Sequence, residues 1–221
     1  MMKKDPKHVV VITADAEGKE TAFTMALEKI YSNPVSFEMK EGNVGYIRME
    51  NFDETLAEEA IAAVDALVAE GAQALVFDVR DNGGGYLDEL CALLDFLLPA
   101  GEIFISVAED GKEKVTKSDK SCIDLPMAVL VNENSYSAAE FFAAALREFD
   151  AATIVGTQTT GKNRSQTNVV LVDGSAVHIS SRRYLTPNRV DLTEQGGLTP
   201  DVIVEAGEND PQLAAAMALF H

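Results

Sequence analysis

A serine at the entrance to a helix and a lysine 25 positions later are the residues of this chain best suited to reaction chemistry. The stretch "NSYSAAEFF" (134–142) places Ser137 directly ahead of an alanine-rich run, with Glu140 three residues further on. That is a capping-box pattern, in which hydroxyl and carboxylate satisfy open amides of the first helical turn. The same hydroxyl would sit at the positive end of the helix dipole, beside the amide of Ala138, where negative charge is stabilised. On these residues alone, capping and nucleophilic attack are both open. A serine that attacks needs a base. Of the three histidines, His8 falls in an N-terminal hairpin, His178 in mid-strand, and His221 is the last residue. Lys162, in the polar stretch "TTGKNRSQT" after the strand "ATIVG", is the other candidate. A free lysine amine has a pKa of about 10.4, but desolvation and nearby positive potential can bring it into a range where it accepts a proton. Gly161 allows close approach of the chain, and Gln166 is spaced to hold the amine.

A second turn carries a different kind of chemistry. Asp81-Asn82-Gly83-Gly84-Gly85 follows the apolar strand "ALVFDVR". Three glycines leave backbone amides uncovered, which suits either a tight turn or donors aimed at a developing oxyanion. Neither the dinucleotide-binding pattern nor the P-loop pattern is present.

The elements that must position these residues follow from periodicity. Leu56, Ala60, Val64, Leu67 and Val68 recur at helical spacing, predicting a helix over 54–69. "ALVFDVR" (74–80) reads as a strand buried on both faces, followed by a helix over 87–98. Further strands are expected at "VSFEM", "VGYIRM", "IFISVA", "MAVLVN", "NVVLV" and "AVHISSRRYL", the last two joined by a turn at Asp173-Gly174. "DPQLAAAMALF" closes the chain as a helix with Pro211 in its first turn. Residues 8–30 read as a separate hairpin. Strands alternating with helices indicate an α/β fold on a mostly parallel sheet with added hairpins.

Composition narrows the partners. The 221 residues carry 36 acids and 18 bases, a formal charge of −18. Polyanions such as nucleic acid or an anionic membrane surface are therefore poor main partners. No apolar run approaches the roughly 18 residues of a membrane span, and the N-terminus lacks a signal-peptide pattern. Two cysteines and three histidines give neither a disulfide framework nor a ligand-spaced metal cluster. No metal or organic cofactor is expected.

Over residues 35–215 the segments "GYIRMENF", "ALVFDVRDNGGGYLDE", "VLVNENSYSAAEFFAAALREFDAATIVG", "TTGKNRSQ" and "GGLTPDV" occur in an order that resembles the C-terminal processing (tail-specific) serine peptidases. The resemblance implies a β-β-α core related to the crotonase and Clp-protease superfold. It also implies a Ser-Lys dyad of Ser137 and Lys162 supported by Gln166, with oxyanion donors from the amides of Ala138 and Gly84. Substrates would be protein or peptide chains in extended conformation, and the compartment the cell envelope or extracellular space. Residues 1–32 would be the remnant of a PDZ domain and residues 33–221 the catalytic core. The sequence departs from the family pattern at Gly83, Tyr136 and Asn163, where proline, alanine and glycine are usual, which implies altered substrate contacts. Two readings from other classes stand beside this one: a non-catalytic peptide-binding module, and a crotonase-like acyl-thioester enzyme.

Overall fold

Alternation along two central strands explains why helices cover both faces of the main sheet. In β5 (Ala74–Asp78), Leu75 and Phe77 point to one face, and Ala74 and Val76 to the other. In β8 (Met127–Val131), Met127, Val129 and Val131 join the first set, and Ala128 and Leu130 the second. Successive side chains on a strand leave by opposite faces, so a strand apolar throughout must be covered twice. On the first face lie α1 (Leu56–Ala69), α2 (Leu87–Leu97) and α3 (Ala138–Glu148), which pack into the larger core. On the second lies the short α4 (Pro211–Met217), through Leu213, Ala216 and Met217. Phe142 of α3 sits edge-on to Phe77 at 5.4 Å, and burying such a ring stabilises the fold by about 1.5–3 kcal/mol.

This is a computed structural model that describes residues 8–28 and 32–220. The chain divides into two units, Met1–Ser32 and Asn33–His221. The first contains an antiparallel pair, β1 (His8–Ala14) and β2 (Glu20–Ala26). The second contains the remaining strands in two sheets. β3 (Val35–Lys40) and β4 (Val44–Met49) form the antiparallel edge of a six-stranded sheet. From β4 inward it continues in parallel through β5, β8, β9 (Ala152–Gly156) and β12 (Val202–Ile203). The second sheet is antiparallel, in the order β10 (Arg164–Val170), β11 (Ala176–Leu185), β6 (Gly101–Val107) and β7 (Glu113–Ser118). The chain is thus the expected mixed α/β fold, mostly parallel at its centre with added hairpins.

Three differences from the sequence reading matter. β10 begins at Arg164, so Gln166 lies in a strand rather than in a polar loop. β7, charged in "EKVTKS", and the two-residue β12 carry too little apolar pattern to stand out. His221 lies outside the described residues.

α4 is fastened by charge as well as by packing. Asp78, fully buried, accepts from Tyr46 Oη at 2.7 Å and from Arg80 Nη2 at 2.6 Å, and pairs with Arg48 at 3.1 Å. Arg80 reaches on to Asp210, the N-cap of α4, at 2.7 Å. Burial by itself would raise the Asp78 carboxyl, but hydrogen bonds from Arg80 and Tyr46 outweigh it and hold the group below the ordinary range. The Arg80 hydrogen bond does the same to Asp210. Tyr46 moves the other way, pushed up to about 12 by burial and by its bond to Asp78. Depressed carboxyl groups stabilise the fold above their unfolded pKa of about 3.9, and that stability is lost as pH falls through the folded values. Urea midpoints should therefore fall below about pH 4. Asp78→Asn should cost about 3–5 kcal/mol at neutral pH, by taking the buried carboxylate that Arg80, Arg48 and Tyr46 share, and should flatten this acid loss. A variant as stable as the parent at pH 7 would exclude the clasp.

Candidate active site

Three neighbouring parallel strands end side by side and deliver the candidate residues to one place. Asp78 of β5 pairs with Leu130 of β8, and Val131 of β8 with Gly156 of β9. The chain beyond β5 forms the glycine turn, beyond β8 the serine turn, and beyond β9 the lysine loop. Ligands of open α/β sheets gather at such carboxyl ends. Gly156, at φ +134°, lies so close to β8 that a Cβ would meet Val131 O at 1.9 Å.

The serine turn is sewn to the glycine turn. Ser135 Oγ, fully buried, donates to Val79 O at 2.7 Å, and the Tyr136 amide donates to Asn82 O at 3.1 Å. Asp81 Oδ1 accepts from Asn134 Nδ2 at 2.8 Å and Asn132 Nδ2 at 2.9 Å, which holds its carboxyl below the usual range. Ser137 itself takes φ +59°, ψ −123°, a conformation that costs a non-glycine residue about 1–3 kcal/mol. A strained serine between strand and helix exposes its hydroxyl, as in a nucleophile elbow. The capping-box residues are both in place, and the Ser137 amide donates to Glu140 Oε2 at 2.9 Å. The Glu140 amide also donates to the Ser137 carbonyl oxygen at 3.0 Å.

Glu140 does more than cap. Fully buried, it accepts from four donors: the amides of Ser137 (2.9 Å), Gly161 (2.6 Å) and Lys162 (2.9 Å), and Thr159 Oγ1 (2.5 Å). One carboxylate thus fixes the backbone of the serine elbow to that of the lysine loop. The loop is held from its other side as well. Leu198 and Thr159 exchange hydrogen bonds through the Leu198 amide to Thr159 Oγ1 and the Thr159 amide to Leu198 O. Buried Asn163 donates to Asp191 and accepts from Thr193 Oγ1 at 2.8 Å. Gly161, at φ +87°, passes so near Gly197 that a Cβ would meet its amide nitrogen at 2.7 Å.

Ser137, Ala138, Lys162 and Gln166 all line one cleft of about 550 Å³. Its floor is apolar, with Leu90, Phe141 and Phe104, and Tyr184 lies 4.7 Å from Phe104 between ring centres. Lys162 Nζ donates to Gln166 Oε1 at 3.3 Å and lies 5.3 Å from the centre of the Tyr136 ring. Among the described residues no hydrogen bond joins it to Ser137 Oγ. Tyr136 also explains the glycine at 83, where a Cβ would meet the phenol oxygen at 2.8 Å. The Ala138 amide has no partner among the described residues. The Gly84 amide, in contrast, is bound to Asn82 Oδ1 at 2.8 Å, while Gly85, whose amide has no partner among the described residues, lines the cleft.

His178 also lines this cleft, on β11, with Nδ1 2.6 Å from Asn168 Oδ1. Sequence reasoning passed over the spanning role of Glu140, although a carboxylate inside a helix buried at every position from Ala138 to Leu146 is the signal of such a role. It also missed Arg164, which lines the cleft because β10 starts four residues ahead of the expected strand "NVVLV".

Comparison with known proteins gives the family. The sequence profile of "Peptidase family S41" matches residues 43–204. A "Carboxyl-terminal-processing protease" of Synechocystis is 32% identical over 188 residues, 83% of this chain and 44% of that protein. The "Carboxy-terminal processing protease CtpA" of Bacillus subtilis is 33% identical over 184 residues, 82% of this chain and 38% of the relative. The chain thus spans less than half the length of these relatives. Among solved structures, a photosystem II D1 C-terminal processing protease superposes with a TM-score of 0.74 at 28% identity, over 96% of this chain and 59% of that one. With the profile spanning every strand that delivers the three turns, the chain belongs to peptidase family S41.

Proposed function

We propose that this chain is the catalytic portion of a tail-specific serine endopeptidase working through Ser137 and Lys162, with Gln166 in support. The observation that carries the reading is the pair's shared mooring on Glu140 at the wall of one cleft. Ser137 Oγ attacks the peptide carbonyl carbon while the neutral Lys162 amine takes its proton. The amide of Ala138 and a second amide from the glycine turn receive the oxyanion. Gly84 can serve as that second donor only by leaving Asn82, whereas the Gly85 amide has no partner among the described residues. Lys162 then protonates the departing amine, an ester remains on Ser137, and water activated by Lys162 releases the acid. This cycle needs no metal or organic cofactor. The apolar floor of the cleft favours an uncharged substrate side chain beside the scissile bond.

Neither a binding module nor a thioester enzyme calls for a lysine held beside a strained serine. The hairpin of residues 8–28 exposes Ile12, Phe23 and Met25, a surface that suits a PDZ-type peptide reader. The family resemblance is the ground for placing its work in the cell envelope or outside the cell; among the described residues no helix is long and apolar enough to cross a membrane.

The test is the pH dependence of peptide hydrolysis. Only the neutral amine accepts a proton, so kcat/KM should climb with pH to a plateau. The climb should persist in His178→Gln, and EDTA should leave the rate unchanged. A rate lost with His178, or lost with EDTA and restored by zinc, would overturn the Ser-Lys mechanism.

A further inference from the structure

Beside the cleft lies a second hollow of about 560 Å³ that the mechanism does not use. Arg164, Arg182 and Arg183 all line it, three of the seven arginines of a chain whose net charge is −18. Their placement works against the sheet. Arg164 of β10 stands directly opposite Arg183 of β11, and like charges so paired are destabilising. Just beyond them the strands shift register between Ser165 and Gln166, with Ser181 Oγ 3.2 Å from Ser165 Oγ and 2.9 Å from Thr167 Oγ1. Bulges of this kind re-aim side chains next to active sites.

The three guanidinium groups are unequally compensated. Arg183 pairs with Asp191 at 3.5 Å and Glu194 at 3.9 Å. Arg182 is braced on Ser106, with Nε to Oγ at 2.6 Å, and this uses a neutral partner. Arg164 has no ion pair or hydrogen bond among the described residues. The acids nearest the hollow are Glu109, which lines it, and Asp110, which pairs with Lys112 at 2.6 Å and feels the charge of Arg182. Arg164 is therefore the guanidinium left without a partner among the described residues, and it lines both the hollow and the cleft that holds Ser137.

We infer that this hollow is a carboxylate-binding subsite for the peptide lying in the cleft. The inference rests on the catalytic reading for what occupies the cleft. A guanidinium fork matches a carboxylate in geometry and charge. The carboxylate can be the free terminus of the substrate or an Asp or Glu side chain near it; the chemistry recognised is the same. Alternation puts Arg164 on the same side of β10 as Gln166, so a chain passing the dyad reaches Arg164 within one or two residues.

The experiment uses fluorescently labelled apolar peptides of one length and the full chain carrying Ser137→Ala, so that binding is read without turnover. One peptide is neutral and amidated, the second has a free carboxylate, and the third is amidated with an aspartate near its end. Either or both acidic peptides should bind roughly tenfold tighter than the neutral one, the scale of two partly exposed charge pairs. Comparing the second with the third identifies the source of the carboxylate. Adding Arg164→Gln and Arg182→Gln should erase the preference. Equal binding of all three peptides, or a preference that survives in the arginine variant, would overturn the subsite. Salt gives an independent check should that variant misfold. The preference of the parent must shrink as ionic strength rises, and indifference to salt would overturn the subsite equally. Cleavage of the same peptides by the unmutated chain separates the two ideas: preference without cleavage sinks the dyad and leaves the subsite standing, and cleavage without preference does the reverse.

Discussion

Ser137→Ala, Lys162→Ala and Lys162→Arg should each abolish hydrolysis of an unstructured protein such as casein, with losses in kcat of about 10⁴-fold or more. Arginine keeps its proton at any working pH, so it cannot replace lysine as a base. The double variant should be no worse than either single one, because nucleophile and base act as a unit. Folding must be followed on the same proteins, since Ser137 also begins α3. Its side chain belongs to the capping box, so Ser137→Ala should cost no more than the roughly 0.5–2 kcal/mol of a lost N-cap. Substantial turnover by Lys162→Ala, or an active and folded Ser137→Asp, would remove the dyad from consideration.

Glu140→Ala should be the most damaging change outside the dyad. It strands three amides and a hydroxyl at a site closed to solvent, and each unpaired donor costs about 1–3 kcal/mol. Water entering the space will offset part of this, leaving an expected loss of about 3–5 kcal/mol, the range for removing a buried charge from its partners. Turnover should fall further than stability explains, since shifting a catalytic group by about 1 Å can cost 100-fold. Glu140→Gln separates the two effects. The amide keeps the shape but turns an NH₂ group toward donors, so it cannot satisfy both the Ser137 and Lys162 side and the Gly161 and Thr159 side. Urea unfolding and single-turnover rates on both variants are the measurements. A Glu140→Gln protein with parental kcat would show that the carboxylate is dispensable for positioning.

Much of this architecture was legible because local pattern and tertiary burial agree. The strand at 74–78 and the helices at 56–69 and 87–97 announce themselves through apolar period, and α3 through its alanines. The candidate site was legible as residue types at motif spacing: Ser137 before a helix, Lys162 after a strand, glycines in a turn. What stayed hidden depends on contacts between distant segments. Nothing near Glu140 in sequence reveals that one of its carboxylate oxygens faces Thr159 and Gly161. Nor does anything near Gly84 reveal that its amide is taken by the Asn82 side chain, a bond set by how the turn folds back. The polar start of β10 looked like loop because its pattern belongs to a cleft wall, where neither face is buried in the core.

The moorings of the lysine loop have a consequence for the order in which the protein becomes itself. A ribosome releases the chain from its N-terminus, so Ser137 and Lys162 emerge before Asp191, Thr193, Gly197 and Leu198, the residues that hold residues 159–163 in place. Asp210, which receives Arg80, emerges later still. A nascent chain ending at residue 185 would contain nucleophile and base without the frame that aligns them. In the reading proposed here, cleavage capacity therefore arrives only after Leu198 has emerged, and shorter nascent chains are spared attack by their own half-made copies.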